Sequence, residues 1–393
     1  MSRSSPIDVA IAGGGHAGLL LAAGLAREGL RVAVIDPQPR ERILESPANG
    51  RTLALLGSSH EVVTRLGAWP HCHPHAAPIW ETRVRDVAGG AAVDYRARET
   101  FGQPFGYGFE NHLLRRSLLA AAEAAAGPEL LRTGKLATIE RRRQSVALHL
   151  DHGGTLEAAL LVGADGRGSS VRTLAGIGLE RWTYRQTAIV FVVAHQRAHG
   201  WRVREHLRPQ GPLALLPLPG RRCGVTWVET HEEAAGIASL PPAALAARLH
   251  EQIGDVLGAL EIDGPVGRWP LSAQHAARYV APRIALVGDA AHGAHPIHAQ
   301  GFNMGVADIG CLCEQLVRAR RHGQDLGGGD ALIPYERARR PANMRRLWLT
   351  DGLNRLFSND ITPLAALRGA GMRMLDMAAP AKRAAMRHGM STL

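Results

Sequence analysis

The pattern of apolar and polar positions changes period early in the chain. Ile7-Asp-Val-Ala-Ile-Ala12 is a short apolar run with the length of a buried strand. From Leu19 to Glu28 the apolar positions follow helical spacing, and Gly29 supplies the stop. Arg31-Val-Ala-Val-Ile-Asp36 is then a second strand. Two later runs share the strand-then-turn form. Ala159 to Asp165 runs into Gly166-Arg-Gly-Ser-Ser-Val-Arg172, and Arg283 to Asp289 runs into Gly288-Asp289-Ala-Ala-His292, with a helix predicted through about Arg320. Between them, period-two alternation at Ile189–Ala194, Arg204–Leu207, Leu213–Leu218 and Cys223–Val228 predicts a β-sheet layer. Pro241 to Leu260 is predicted helical. From Pro341 onward the chain is predicted helical and basic, broken near Ser358-Asn-Asp-Ile-Thr-Pro363, and no internal repeat is visible.

Composition narrows the class. Over 393 residues, 46% are hydrophobic and 21% charged, enough for a sizeable core and incompatible with wholesale disorder. The 45 glycines and 23 prolines show no period, which removes collagen-like and low-complexity readings. No apolar run approaches the roughly 18 residues of a membrane-spanning helix, and the N-terminus shows no secretory signal. The expected location is the cytoplasm. The net charge of +11 is carried by arginine, since lysine occurs only at 135 and 382. Clusters such as Arg141-Arg-Arg143 are short and lack interleaved aromatics, so no nucleic acid partner is expected. Four cysteines (72, 223, 311, 313) make no disulfide framework. His71-Cys-His73-Pro-His75 has no second ligand group at zinc spacing and is taken as a polar surface loop, and no metal is expected.

The first strand, turn, helix and strand form a βαβ unit with G-x-G-x-x-G at Gly13, Gly15 and Gly18 and an acid, Asp36, at the end of the second strand. Gly13 permits the tight turn, Gly15 lets backbone amides approach a pyrophosphate, and Gly18 allows close helix–strand packing. The helix N-terminus adds positive partial charge, and Asp36 can accept hydrogen bonds from a ribose. A Rossmann-like dinucleotide-binding unit follows. The two later segments are not second fingerprints, so no separate nicotinamide domain is encoded.

This ordered trio resembles the class A flavoprotein monooxygenases built like 4-hydroxybenzoate hydroxylase. Within them it is most similar to the ubiquinone-biosynthesis hydroxylases, through Asn49-Gly-Arg51-Thr-Leu-Ala-Leu55, Leu66-Gly-Ala-Trp69, Glu205-His-Leu207, Gly211–Leu218, His295-Pro-Ile297, Gln300-Gly-Phe-Asn303 and Arg355–Asp360. The resemblance covers about residues 5 to 365. It implies an α/β fold in which a Rossmann-like FAD-binding domain (1–75, 100–182 and 270–340) is interleaved with a β-sheet substrate domain (76–99 and 183–269), followed by C-terminal helices (341–393).

The resemblance implies FAD as cofactor, NAD(P)H as co-substrate and O2, with an electron-rich aromatic ring hydroxylated through a flavin C4a-hydroperoxide. Gly13, Gly15 and Gly18 would cradle the pyrophosphate, with Asp36 on the ribose and Arg51 near the flavin. Asp165, Gly166, Gly288 and Asp289 would contact the phosphate and ribityl parts. Pro296, Gly301, Phe302 and Asn303 would face the isoalloxazine ring. Asn111 stands where many relatives carry a flavin-side arginine, and Arg115 lies one helical turn on. Leu215, Pro217 and Pro296 are the expected substrate lining, which suits a prenylated phenol of ubiquinone biosynthesis. One departure stands out. Relatives usually carry Pro-Ile-Ala-Gly-Gln-Gly where this chain has Pro296-Ile-His-Ala-Gln-Gly301. For His298 a lining role, proton handling and, further off, covalent flavin or metal stay open, and it is the candidate catalytic residue. Peripheral contact with the inner membrane face or a biosynthetic complex, and a homodimer, also stay open. The competing readings are a hydroxylase of a soluble aromatic or heteroaromatic metabolite, with Arg204 or Arg221 holding a carboxylate, an FAD-dependent isoprenoid reductase, and a non-catalytic flavin carrier.

Overall fold

The computed structural model describes residues 7–99 and 102–390. The first sheet runs in the order Val280–Ala281, Ile284–Leu286, Thr155–Gly163, Ile7–Ala12, Val32–Asp36 and Leu131–Thr133, with every pair parallel except the first, where Val280–Ala281 folds back antiparallel on Ile284–Leu286. Val146–Leu150 and Leu136–Arg141 extend it as an antiparallel ribbon off Thr155–Gly163. Leu19, Leu20, Leu21 and Leu25 of the helix His16–Arg27 are fully buried, and this helix packs with the helices Asn111–Ala126 and Gln300–Arg321 in the largest core. Parallel strands buried on both faces carry continuous apolar runs, as these do.

The second sheet runs His292–Gly293, Gly267–Ala276, Leu179–His195, Arg222–Thr230, Leu213–Leu218, Arg202–Leu207, Glu81–Asp86 and Ala91–Arg96. One face is covered by the helices His231–Ala238 and Pro242–Ile253, around Phe191, Trp227, Leu245 and Leu249. A small third sheet, Thr52–Leu56, Gly106–Glu110 and Ala77–Ile79, lies against the strand Leu213–Leu218.

Three local expectations are corrected. The predicted helix Pro241–Leu260 stops at Ile253, because Gly254 turns left-handed at φ +72°, and Leu260 opens a short strand instead. Residues 71–75 lie in helical turns, Trp69–Cys72 followed by His73–His75, because Pro70 and Pro74 occupy early helical positions where their missing N–H costs nothing. The C-terminal helix begins well before Pro341, spanning Gly329–Phe357 with Pro334 and Pro341 inside it. Both prolines are exposed, so the carbonyls they leave unpaired lie toward water. The break near Ser358 separates it from the helices Thr362–Met377 and Ala379–Met390.

Candidate active site

Register brings the three sequence motifs together. Ala12 sits opposite Gly163 on one side and Ile35 on the other, and Gly163 sits opposite Leu286. The turns that follow these strands therefore leave the sheet side by side. Gly13 has φ +108°, and a Cβ there would lie 2.4 Å from the Ala164 carbonyl oxygen and 2.9 Å from the Asp165 Cα. A Cβ on Gly18 would meet the Gly13 carbonyl at 1.9 Å. Gly288, at φ +56°, faces Ala17 of the first helix.

Side chains that the sequence reading did not single out tie the turns together. Arg172 donates through Nη1 to the Ala290 carbonyl at 2.8 Å and through Nη2 to the Arg167 carbonyl at 3.0 Å. Gln274, fully buried, donates to the carbonyls of Arg167 (3.1 Å) and Asp289 (3.0 Å). Behind Gly288, the buried Asp308 accepts from His292 Nε2 (2.5 Å), Arg339 Nε (2.9 Å) and Asn343 Nδ2 (2.8 Å). Burial opposes its charge, but His292 and Arg339 outweigh it and hold the carboxyl below its ordinary range.

The edge where the turns meet is built to receive an anionic dinucleotide. Asp36 Oδ2 accepts from the Gly14 amide at 2.7 Å and Oδ1 from the Gln38 amide at 2.8 Å, which fixes the carboxylate at the strand end. Arg115 Nε donates to the Gly14 carbonyl at 2.8 Å, and its guanidinium lies 3.4 Å from Asp36. His16, the first residue of its helix, donates Nε2–H to the Asn111 carbonyl at 2.9 Å, and its ring meets Phe302 edge-on at 5.7 Å. Burial, with Arg51 and Arg115 nearby, pushes its pKa down to about 4, so it stands neutral. Asp165 Oδ2 caps the short helix Ser170–Leu174, accepting from Ser170 Oγ and the Val171 amide. Its other oxygen is buried with no partner. Asp289 is exposed beside this edge, and Arg51 is exposed with its guanidinium 4.9 Å from the Trp269 ring.

These residues fit FAD. A Cβ placed on Gly15, Gly166 or Gly301 would meet nothing within 4 Å, so open space lies where a cofactor's phosphates and ring would approach the backbone. The helices His16–Arg27 and Gln300–Arg321 both begin without an acidic residue in the first turn, leaving their amide ends positive.

The opposite wall comes from the second sheet. Pro296 opens a loop in which His298 (φ +57°) and Ala299 (φ +52°) are consecutively left-handed, a strained arrangement for residues with a Cβ. Asn303, fully buried, holds the loop: Nδ2 donates to the Ala54 and Ala299 carbonyls, each at 2.8 Å, and Oδ1 accepts from the Leu56 amide at 2.9 Å. His298 Nδ1 lies 3.0 Å from Glu205 Oε2 of the strand Arg202–Leu207, a partner that the sequence reading did not assign. Burial disfavours charge on both, yet the attraction and hydrogen bond between them prevail, raising the His298 pKa and lowering that of Glu205. Nearby His295 is pushed down to about 3, chiefly by burial.

The expected substrate lining needs correction. Leu215 pairs with Val225 and Pro217 with Cys223, and Leu215, Val225 and Cys223 all belong to the helix-covered core. Alternation turns that face away from the loop, and Leu216 is the residue that joins Ala299 in an apolar cluster with Ala54, Ile79 and Phe105. Pro296 keeps its place on the loop. The two candidate carboxylate anchors also lie elsewhere. Arg204 pairs with Leu215 on the helix-covered face, and Arg221 is exposed at a turn, donating to the Gln196 carbonyl at 2.6 Å.

The family model described as "FAD binding domain" matches residues 6–347. The chain belongs to that family. It is 41% identical over all of its length, and 91% of the relative, to the "Ubiquinone hydroxylase UbiL" of Rhodospirillum rubrum. It is 32% identical to the "3-demethoxyubiquinol 3-hydroxylase" of Escherichia coli, over 98% of this chain and 99% of that one. Among solved structures, p-nitrophenol 4-monooxygenase PnpA from Pseudomonas putida superposes with a TM-score of 0.80 over 98% of this chain and 99% of that one, at 20% identity. PqsL from Pseudomonas aeruginosa, in complex with 2-aminobenzoylacetate, gives 0.77 over 93% and 100%, at 26% identity. The fold is therefore the α/β arrangement of the FAD-dependent monooxygenases, and the chain is an FAD-dependent monooxygenase. No helix among the described residues is long and apolar enough to cross a membrane.

Proposed function

We propose that this enzyme hydroxylates a prenylated phenol of ubiquinone biosynthesis. The observation that carries the reading is the wall facing the flavin loop. It is apolar at Ala54, Ile79, Phe105, Leu216 and Ala299, and the nearest strand arginine, Arg204, points to the other side of the sheet. A greasy ring fits such a wall, whereas a free aromatic acid would leave its carboxylate unpaired. The curated relatives' printed names support the same substrate class.

FAD, when bound, supplies the oxygen chemistry with electrons from NAD(P)H. The chain's own residues hold and orient. Gly15 with the first helix N-terminus takes the pyrophosphate on a turn that Gly13 and Gly18 allow to close, Asp36 takes the ribose, and Arg115 braces that turn. Asp165, Gly166, Gly288 and Asp289 flank the middle of the dinucleotide, and Arg51 lies at its outer side. Gly301 and Phe302 open the helix whose positive end favours negative charge on the reduced ring, while Asn303 fixes the loop that shapes that face. The FAD-binding part is drawn from segments 1–75, 100–182 and 270–340 and the substrate part from 76–99 and 183–269; the first sheet, whose strands all come from the former, supports this division, while the second and third sheets join strands of both.

The substrate's lipid home bears on the C-terminal helices. Along Thr362–Met377 an exposed stripe of Pro363, Ala366, Leu367, Ala370, Met374 and Met377 follows helical spacing, with Trp348 and Leu349 exposed on the preceding helix and Arg345, Arg355 and Arg373 exposed around them. Apolar side chains rimmed by arginine suit the surface of an anionic membrane, and we assign this face to peripheral contact there.

The test is NAD(P)H consumption by FAD-loaded enzyme with 2-geranylphenol in micelles against 4-hydroxybenzoate, with product mass under labelled oxygen. Stimulation and oxygen incorporation with the prenylated ring are expected. Stimulation by the aromatic acid alone would overturn the substrate assignment, and double-bond reduction without oxygen uptake would favour an isoprenoid reductase.

A further inference from the structure

The pair at the mouth of the apolar wall is unlike its surroundings. Glu205 is 5% exposed, sits in a strand whose other neighbours on that face are apolar, and has His298 as its ion-pair partner. His298 reaches it from a left-handed backbone, followed by a second left-handed residue, Ala299. Such strain persists where the surroundings hold it, here through Asn303, and is characteristic of sites that do chemistry. The Nδ1 edge of the ring is taken up by Glu205. Among the described residues nothing hydrogen-bonds Nε2, and the side chain is 33% exposed, on the loop that borders the cluster of Leu216, Ala54 and Phe105.

We propose that His298, in its neutral form with Nδ1–H donated to Glu205, accepts the proton of the substrate's ring hydroxyl through Nε2, with Glu205 as the positioning residue that fixes this tautomer and balances the positive charge formed on the imidazole. The step rests on the phenol reading given above. The O–H bond breaks, an Nε2–H bond forms, and the electron pair stays on the oxygen, enriching the ring carbon that is to be hydroxylated. The imidazolium formed is matched by the buried Glu205 carboxylate, the same logic by which an acid orients and stabilises a catalytic histidine elsewhere. The proton then leaves to water along the exposed edge of the ring. No external oxidant or reductant enters this step.

The charges around the pair permit it. On the loop itself, His295 is held neutral by burial. From the second sheet, Glu205 is the group that acts on His298, Arg204 faces the opposite side, and Tyr95 borders the apolar cluster. From the helix Gly329–Phe357, Arg346 is engaged with Gln300 Oε1 at 3.0 Å. Elsewhere in the chain burial prevails: His16, His206 and His275 are each pushed to about 4 and His295, on the same loop, to about 3.

The experiment compares FAD-loaded wild type, His298→Ala and Glu205→Gln, using 2-geranylphenol. Two readouts are followed, the pH profile of kcat/KM and histidine-selective NMR titration of each protein. His298→Ala should lose about a hundredfold or more in kcat/KM at neutral pH, recover as pH approaches the phenol's own ionisation, and be rescued in part by added imidazole. In Glu205→Gln the His298 resonance, identified by its absence in His298→Ala, should titrate lower than in wild type, and the limb of the pH profile should move with it. A His298→Ala enzyme with the wild-type rate and profile would overturn the proposal while leaving the phenol hydroxylase reading intact. Failure of wild type itself to respond to any prenylated phenol would overturn that reading instead. Loss of rate without a change in profile or imidazole rescue would reduce His298 to a structural residue and also refute the proposal. Should Glu205→Gln fail to fold, His298→Ala alone still decides.

Discussion

Replacing Gly15 and Gly18 separately by alanine should split cofactor binding from folding, because the structure places their missing side chains in opposite environments. A Cβ on Gly15 would meet nothing within 4 Å, and the residue has φ −81° and ψ −174°, which alanine adopts freely. The folded protein without FAD should therefore be unharmed, or gain about 0.4–1 kcal/mol from the stiffer unfolded chain. The same methyl occupies the space assigned to the pyrophosphate and should weaken FAD at least tenfold, about 1.4 kcal/mol. Gly18 is the reverse. Its Cβ would lie 1.9 Å from the Gly13 carbonyl oxygen and 3.2 Å from Ile11 Cγ2, and the oxygen is backbone inside a turn that Ala164 already crowds. Overpacking of that kind costs about 1–3 kcal/mol or more, so Gly18→Ala should unfold early whether or not FAD is present. Thermal unfolding of the deflavinated proteins, repeated with added FAD, separates the two, since a ligand that binds only the native state raises the midpoint in proportion to its affinity. Gly15→Ala should keep its apo midpoint and lose the FAD-induced rise. If it binds FAD as tightly as wild type, as followed by quenching of flavin fluorescence, the pyrophosphate does not lie against that turn and the assignment of the whole edge falls.

Three further outcomes follow from other parts of the molecule. Arg368 and Asp86 form an ion pair that is 2% and 1% exposed, so Arg368→Leu strands a buried carboxylate and should cost about 3–5 kcal/mol, whereas Arg368→Leu with Asp86→Leu should recover much of it; equal chemical-denaturation midpoints for wild type and the single variant would contradict this. Leu367→Glu with Met374→Glu should abolish co-sedimentation with anionic lipid vesicles while leaving activity on micellar substrate in place, and undiminished binding would remove the membrane assignment. The stability contributed by the His298–Glu205 pair should depend on pH in a stated window. The raised His298 stabilises fully below its ordinary 6.5 and loses this as pH climbs through its folded value, and the lowered Glu205 stabilises fully above its ordinary 4.5 and loses this as pH falls through its folded value. The difference in melting temperature between wild type and Glu205→Gln should thus be largest between those two values and shrink on either side; a difference that is flat with pH would rule the linkage out.

What could be foreseen from residues alone divides along physical lines. The first βαβ unit was legible because its signals are local: a strand, three glycines, a helix and an acid within thirty residues, each needed by the next. The strand Leu213–Leu218 was equally legible as a strand, but its facing was not. Alternation says that Leu215 and Leu216 point opposite ways, and only the helices Pro242–Ile253 and His231–Ala238 decide which way is covered. The His298–Glu205 contact joins a loop and a strand far apart in the chain, so His298 could be singled out as unusual while Glu205 stayed hidden within a matching motif. Arg172 and Gln274 bind backbone carbonyls of other turns, and nothing in their own neighbourhoods signals such partners.

Asn303 shows how these layers become one site. Its amide bridges the strand Thr52–Leu56 of the third sheet and the Ala299 carbonyl of the loop, satisfying its oxygen and both sides of its nitrogen. The third sheet in turn presses on the second, where a Cβ on Gly108 would lie 2.3 Å from the Pro217 carbonyl oxygen. That chain of contacts sets the distance between the flavin-side helix and the strand bearing Glu205. Two consecutive left-handed residues each cost about 1–3 kcal/mol, and a loop free of Asn303 would relax by turning His298 out of reach of Glu205. The buried amide thus has a task that packing alone does not require. It holds the reactive face of the FAD pocket and the His298–Glu205 pair in one fixed relation, which a hydroxylase needs if proton removal and oxygen transfer are to act on the same ring.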